Sequence, residues 1–236
     1  MTTTRIDEIA EGIYRIATPI DVPGGFSFNQ YLIDDEYPLL YHTGPRRLFR
    51  AVASAVERVL PLDRLRYVGL SHVEADECGS LNEFLMVAPD AIPVCGTVAA
   101  MTSIADMADR PPLALDDGAS LDLGGRTLHW LATPHLPHGW ECGHLHDPST
   151  GTLFCGDLFT QGGAHHAPLT AGDILGPSEA FRRPLDYFAH APDTGAMLER
   201  LASLDPTTLA CMHGSAWTGD GAGLLRELGR HLDEGR

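Results

Sequence analysis

The run "SHVEADECGS", residues 71–80, is the hardest part of this sequence to bury. It sets one histidine and three acidic residues, His72, Glu74, Asp76 and Glu77, directly behind the apolar segment "LRYVGL". That segment reads as a short buried strand, and unpaired charge at the end of a buried strand is costly. A pair of divalent cations removes the difficulty, because imidazole nitrogens and carboxylate oxygens then become ligands. The spacing 72, 74, 76 aims three side chains to one side if the loop is extended. Two cations need roughly six protein ligands, so others must come from afar. The candidates are a histidine of "TPHLPHGW" (His135 or His138), Asp157 in "FCGDLF" and His213 in "CMHGS".

The rest of the chain can support such a site. Its 236 residues, 44% of them hydrophobic, suffice for a real core. Strand-like pieces come first: "GIYRIAT", "FSFNQYLID" and "PLLYHTG". "RRLFRAVASAVERVL" then has helical apolar spacing and is stopped by Pro61. "SLNEFLMVA" reads as a helix with Ser80 at its N-cap, and "VAAMTSIADMA" as another. A second series begins with the strands "RTLHWLAT", "GHLHD" and "TLFCGD" and ends in the helices "GAMLERLAS" and "GAGLLRELGRHLDE". Two strand-then-helix series without a linker predict one mixed α/β (α+β) domain over residues 1–236. The segment 159–194, rich in Gly, Pro and His and weakly periodic, is predicted to be a loop forming a lid or site wall.

Composition excludes several partners. The formal charge of −16 repels phosphate backbones, so nucleic acid is not expected. Every basic side chain is arginine, which excludes Schiff-base lysine chemistry. No apolar run approaches the roughly 18 residues of a membrane span, and "MTTTRIDEIAEG" has no signal-like core. The five scattered cysteines, without a C-x-x-C pair, are expected to be reduced thiols in a cytoplasmic protein. His144 and His146 alternate in "GHLHD" and are expected to be a structural pair. Trp140, Phe181, Tyr187, Phe188 and Trp217 are expected in the core.

H-x-E-x-D, a histidine loop containing TP, a GD at a strand end and a late HG together resemble the metallo-β-lactamase superfamily. The resemblance implies its αββα four-layer sandwich. Zinc hydrolases of that superfamily carry a histidine where this chain has Glu74. The glutamate form is similar to the diiron domain of flavodiiron proteins and related oxygen-binding diiron proteins. That resemblance places His72, Glu74 and His138 at one metal, Asp76 and His213 at the other, and Asp157 as the bridge. The family motif leaves 18 residues between loop histidine and bridging aspartate; residues 139–156 number 18, which selects His138 over His135. Glu77 departs from the family's frequent histidine, and is either a further carboxylate at the second metal or a group just outside it. His42 in "YHTG" stands where relatives usually place an aspartate supporting the metal loop. Diiron relatives commonly carry a histidine near Gly162, a position for which His165 or His166 is the substitute. Asp157, Glu77 and His165 are thus the expected catalytic residues.

Three histidines and three carboxylates form a hard, oxygen-rich set that suits two iron ions, with zinc or manganese as alternatives. The expected function is that of a non-haem diiron oxidoreductase reacting with O2 or NO. One alternative is a hydrolase that directs water from a bridging position at a small-molecule ester, thioester or phosphoester. Another is a non-catalytic oxygen-binding or sensing module. After Arg236 no flavodoxin module of roughly 100–150 residues follows, so no FMN is expected in this chain and turnover needs an external electron donor. The relatives imply a homodimer.

Overall fold

In the computed structural model, which describes residues 3–234, the strands gather into two seven-stranded sheets. The first sheet keeps sequence order: β1 (Arg5–Ala10), β2 (Ile13–Ile20), β3 (Phe26–Ile33), β4 (Leu39–Tyr41), β5 (Tyr67–Gly69), β6 (Ile92–Gly96) and β7 (Leu113–Leu115). Its β1–β4 half is antiparallel and its β4–β7 half parallel. The second contains β8 (Ser120–Asp122), β9 (Thr127–Ala132), β10 (Gly143–Asp147), β11 (Thr152–Gly156), β12 (Leu169–Thr170), β13 (Thr208–Cys211) and β14 (Ala216–Thr218). Their spatial order is β12-β14-β13-β11-β10-β9-β8.

The helices are α1 (Phe49–Val56), α2 (Ala75–Cys78), α3 (Leu81–Val87), α4 (Thr97–Ala99), α5 (Ala105–Met107), α6 (Leu175–Leu185), α7 (Thr194–Ala202) and α8 (Gly221–Glu234). A π-helical stretch, Ala100–Ile104, joins α4 to α5.

Period-two alternation sorts the strand side chains into three buried layers. Tyr31 and Ile33 of β3 face the second sheet and share a core with Trp130 and Phe154. Leu32, between them, faces the other way and joins Val56 of α1 and Phe84 of α3. On β11, Phe154 faces the inner layer, whereas Leu153 and Cys155 join Leu198 of α7 and Leu225 of α8. Strands covered on both faces read as continuous apolar runs, as Leu153–Cys155 of β11 does. Helix, sheet, sheet, helix is the four-layer order expected.

Three local expectations are corrected. Residues 159–194 are not one loop, because α6 and the short β12 lie within them. Pro177 and Pro184 hid α6, yet Pro177 lies in its first turn, where a backbone N–H has no intrahelical acceptor, and Pro184 lies at its end. Trp140 is 59% exposed rather than in the core. Ser80 precedes α3 but does not cap it; its hydroxyl donates to the Pro45 carbonyl at 3.1 Å.

Candidate metal centre

The seven acidic and histidine residues singled out around the cluster come from both sheets. His72 follows β5, Asp157 follows β11 and His213 follows β13. Because β11 and β13 are parallel neighbours, their C-terminal ends emerge side by side. His138 lies on the β9–β10 connection. The 72–77 loop is extended only as far as Glu74 (φ −133°, ψ 167°); it then winds into the single turn of α2, which carries Asp76 and Glu77. Thr43 N–H donates to the Glu77 carbonyl at 2.8 Å and Gly44 N–H to that of Asp76 at 3.0 Å, fixing the turn. The expectation of a fully extended ligand loop is therefore corrected.

Donor atoms about 2.1 Å from one cation lie roughly 3.0–3.4 Å apart in octahedral or tetrahedral cages. One set has such edges. His138 Nε2 lies 3.1 Å from His72 Nε2, 3.1 Å from Glu74 Oε1 and 3.2 Å from Asp157 Oδ2. His72 Nε2 is 3.5 Å from that same Asp157 oxygen and 3.8 Å from Glu74. A second set has His213 Nε2 at 3.3 Å from Asp76 Oδ2 and 3.3 Å from Asp157 Oδ1. The two oxygens of Asp157 are thus divided between the sets. Asp157 Oδ1 is buried and makes no well-aligned hydrogen bond. Such a surplus of converging donors fits a pair of cations better than it fits a closed hydrogen-bond network.

Protons do the cations' work in the metal-free chain. Burial opposes charge on His138 and His213, but Asp157 with Glu74 or Asp76 outweighs it and raises both to about 10. Burial likewise opposes ionisation of Asp157, and contacts with His138 and His213 override it, holding the carboxyl well below its ordinary range. Glu77 has no histidine as close, His72 Nε2 lying 3.8 Å away, and burial, then Asp157 and Asp76, push it well above the usual carboxylate range.

The surrounding shell orients these side chains. Ser71 Oγ lies 2.9 Å from His72 Nδ1 and 2.9 Å from His42 Nε2, so His42 braces the candidate ligand His72 through one hydroxyl. Burial, then His72, keeps His42 neutral with a pKa of about 3. His213 Nδ1–H donates to the Ser27 carbonyl at 2.9 Å, leaving Nε2 free to face Asp76 and Asp157. Phe26 stacks on His213 with centroids 4.4 Å apart, and Phe181 of α6 stacks on Phe26 at 5.4 Å. The Tyr187 hydroxyl donates to the Asp157 carbonyl at 3.2 Å, with its ring 5.9 Å from that of His138. Ser71, Ser27 and Phe26 carry no motif that sequence reasoning could use.

Two candidates fall outside the cluster. His135 is exposed. His165, also exposed, lines a separate cleft of about 820 Å³ with Arg5 and Arg15. The Gly163 N–H bond to the Gly25 carbonyl turns the chain away before His165 is reached. His144 is a buried, satisfied histidine as expected, whereas His146 Nε2 is buried without a partner.

Two facing mixed sheets between helical layers, with converging histidines and carboxylates at their strand ends, define a metallo-β-lactamase-type fold. The chain belongs to the ODP family beta lactamase, whose model matches residues 26–214. It is 27% identical over 205 residues, 82% of the chain, to the anaerobic nitric oxide reductase flavorubredoxin of Klebsiella pneumoniae. The chain spans 33–56% of the length of the curated relatives it matches, including 42% of that one. Its fold matches the rubredoxin oxygen:oxidoreductase of Desulfovibrio gigas at a TM-score of 0.84 and 19% identity, covering 97% of this chain and 62% of that one. The flavodiiron protein of Giardia intestinalis matches at 0.81 and 24%, covering 98% and 60%.

Proposed function

We propose that this chain is the diiron-binding core of an oxidoreductase acting on O2 or NO. His72, Glu74 and His138 would hold one ion, Asp76 and His213 the other, with Asp157 shared. The observation that carries this reading is the division of the Asp157 oxygens between two ligand sets at coordination-edge spacing. Glu74 in place of a nitrogen ligand makes the set oxygen-rich and favours iron over zinc, with manganese the nearest substitute. The names of the relatives, a nitric oxide reductase and an oxygen:oxidoreductase, point the same way.

When bound, the pair supplies one reducing equivalent per ion, renewed by an external donor. The residues around it do the rest. Glu74, with half its side chain exposed, stands on the solvent side and admits a small diatomic molecule there. Phe26, Phe181 and Tyr187 form an apolar wall that limits water around His138 and His213. Ser71 and Ser27 fix the ring tautomers so that Nε2 of His72 and of His213 faces the ions. Five free, buried cysteines suit a reducing compartment such as the cytoplasm. Among the described residues no helix is long and apolar enough to cross a membrane. A homodimer belongs to the same proposal.

Anaerobically purified protein is expected to carry two irons per chain and an optical band that changes on exposure to O2 or NO. With a reductase it should consume one of those gases steadily. His138→Ala should lose one iron and His135→Ala neither. Two zinc ions with ester or thioester turnover would overturn the redox reading, and equal metal loss in both variants would overturn the ligand choice.

A further inference from the structure

The inner faces of β1, β2 and β3 are apolar at one end, where Ile9, Ile13 and Ile33 join the central core. Toward the other end the same faces turn polar, through the cross-strand pairs Asp7–Arg15, Arg5–Ala17 and Pro19–Ser27. The cleft of about 820 Å³ opens there, with residues 164–167 completing its wall. None of the candidate metal ligands lines it. It lies on the Nδ1 side of His213, which turns Nδ1 to the Ser27 carbonyl and Nε2 to Asp76 and Asp157. Arg15 in its wall is 2% exposed. Among the described residues its guanidinium makes one hydrogen bond, from Nη2 to the Gly214 carbonyl at 2.6 Å. Its Nε has no partner, and neither has the hydroxyl of Ser27, which is 1% exposed. Asp7, opposite Arg15 on β1, makes its ion pair with Arg5 at 3.2 Å instead, and no carboxylate among the described residues pairs with Arg15. An arginine cannot shed its charge, and a buried charge without a partner is costly.

The rest of the lining says what meets that charge. Ala17, Pro19, Ile20 and Val22 give the cleft an apolar flank, and Val22 is 40% exposed. A space of this size takes an organic molecule rather than a bare inorganic ion. We propose that the cleft binds a small organic carboxylate, its head against Arg15 and its hydrocarbon body along Ala17, Pro19 and Val22. A planar carboxylate matches the guanidinium fork. Its single negative charge balances the one unpaired cation. A phosphate monoester brings a second charge into a cleft whose wall also holds Asp21, and fits less well.

Octanoate, titrated into the purified chain in a calorimeter, tests this, with octanol as the uncharged control and octyl phosphate as the dianion. Octanoate should bind at one site, about tenfold or more tighter than either. Arg15→Gln should weaken it about tenfold. Because Arg15 also holds Gly214, Val22→Asp is made beside it. That change sets a like charge on an exposed position of the wall, so it should leave Tm unchanged and still weaken octanoate. A carboxylate can also bind a metal, so the titration is repeated with a chelator, which should leave the affinity as it was. Affinity lost with the chelator but kept in Val22→Asp places octanoate at the metal centre and overturns the site. Failure of octanoate to bind, or equal binding of octanol, overturns it too. Tighter binding of octyl phosphate overturns the choice of a carboxylate.

Discussion

His144 lies wholly inside the protein as a neutral ring, its Nε2–H donating to the Cys155 carbonyl at 3.1 Å and the Thr133 hydroxyl donating to Nδ1 at 2.8 Å. Burial is the main reason its pKa falls to about 4. The unfolded chain takes up this proton first as pH falls, so the contribution of His144 is complete above about pH 6.5 and is lost toward pH 4. The span corresponds to at most about 3 kcal/mol. His144→Gln, which keeps a donor and cannot titrate, should flatten the pH dependence of the unfolding free energy over that window, measured in urea without metal. Parallel curves would reject the assignment. At this scale the sequence was legible where residues form a spaced pattern: His72, Glu74, Asp76, Asp157 and His213 all announce themselves. Ser71 does not, because a serine beside a strand end is ordinary until His42 and His72 are seen on either side of it. His165 misled for the opposite reason, since proximity along the chain says nothing about which way a glycine turn sends it.

Elements bring these residues together through a few close approaches. Trp130 of β9 lies against Gly143 at the start of β10, where a Cβ would stand 2.2 Å from the indole. The Gly143 N–H also donates to the Ser71 carbonyl at 3.0 Å, linking β10 of one sheet to the ligand loop of the other. Gly143→Ala should therefore destabilise the protein by about 1–3 kcal/mol in chemical denaturation. It should also lower the metal content of purified protein; an unchanged midpoint and full metal occupancy would mean that Trp130 yields freely. Long amphipathic helices such as α7 and α8 could be read from apolar spacing alone. The single turn of α2 could not, because four residues give no periodicity, and α6 was masked by two prolines in positions where proline is tolerated.

The whole molecule is strongly acidic, and the carboxylates of the candidate centre come from the ends of strands in both sheets. Cations that bind the folded chain and not the unfolded one stabilise it by mass action, by about 2.7 kcal/mol at a hundredfold excess over Kd. Anaerobic ferrous ion should raise Tm progressively with concentration, and a chelator should reverse the rise. A Tm indifferent to both would contradict a centre built from both sheets. Layer order and site location were legible because apolar strands and charged strand ends are whole-chain patterns. The fit of one sheet on the other was not, because it depends on contacts such as those around His213. There Asn29 donates from Nδ2 to the carbonyls of Cys211 and Gly214, Arg15 also reaches Gly214, and Tyr31 also reaches Cys211. That clasp sets the His213 corner in place before any metal arrives. On the dinuclear reading, ions would then be seated in a prepared socket and could be exchanged without prising the sandwich apart.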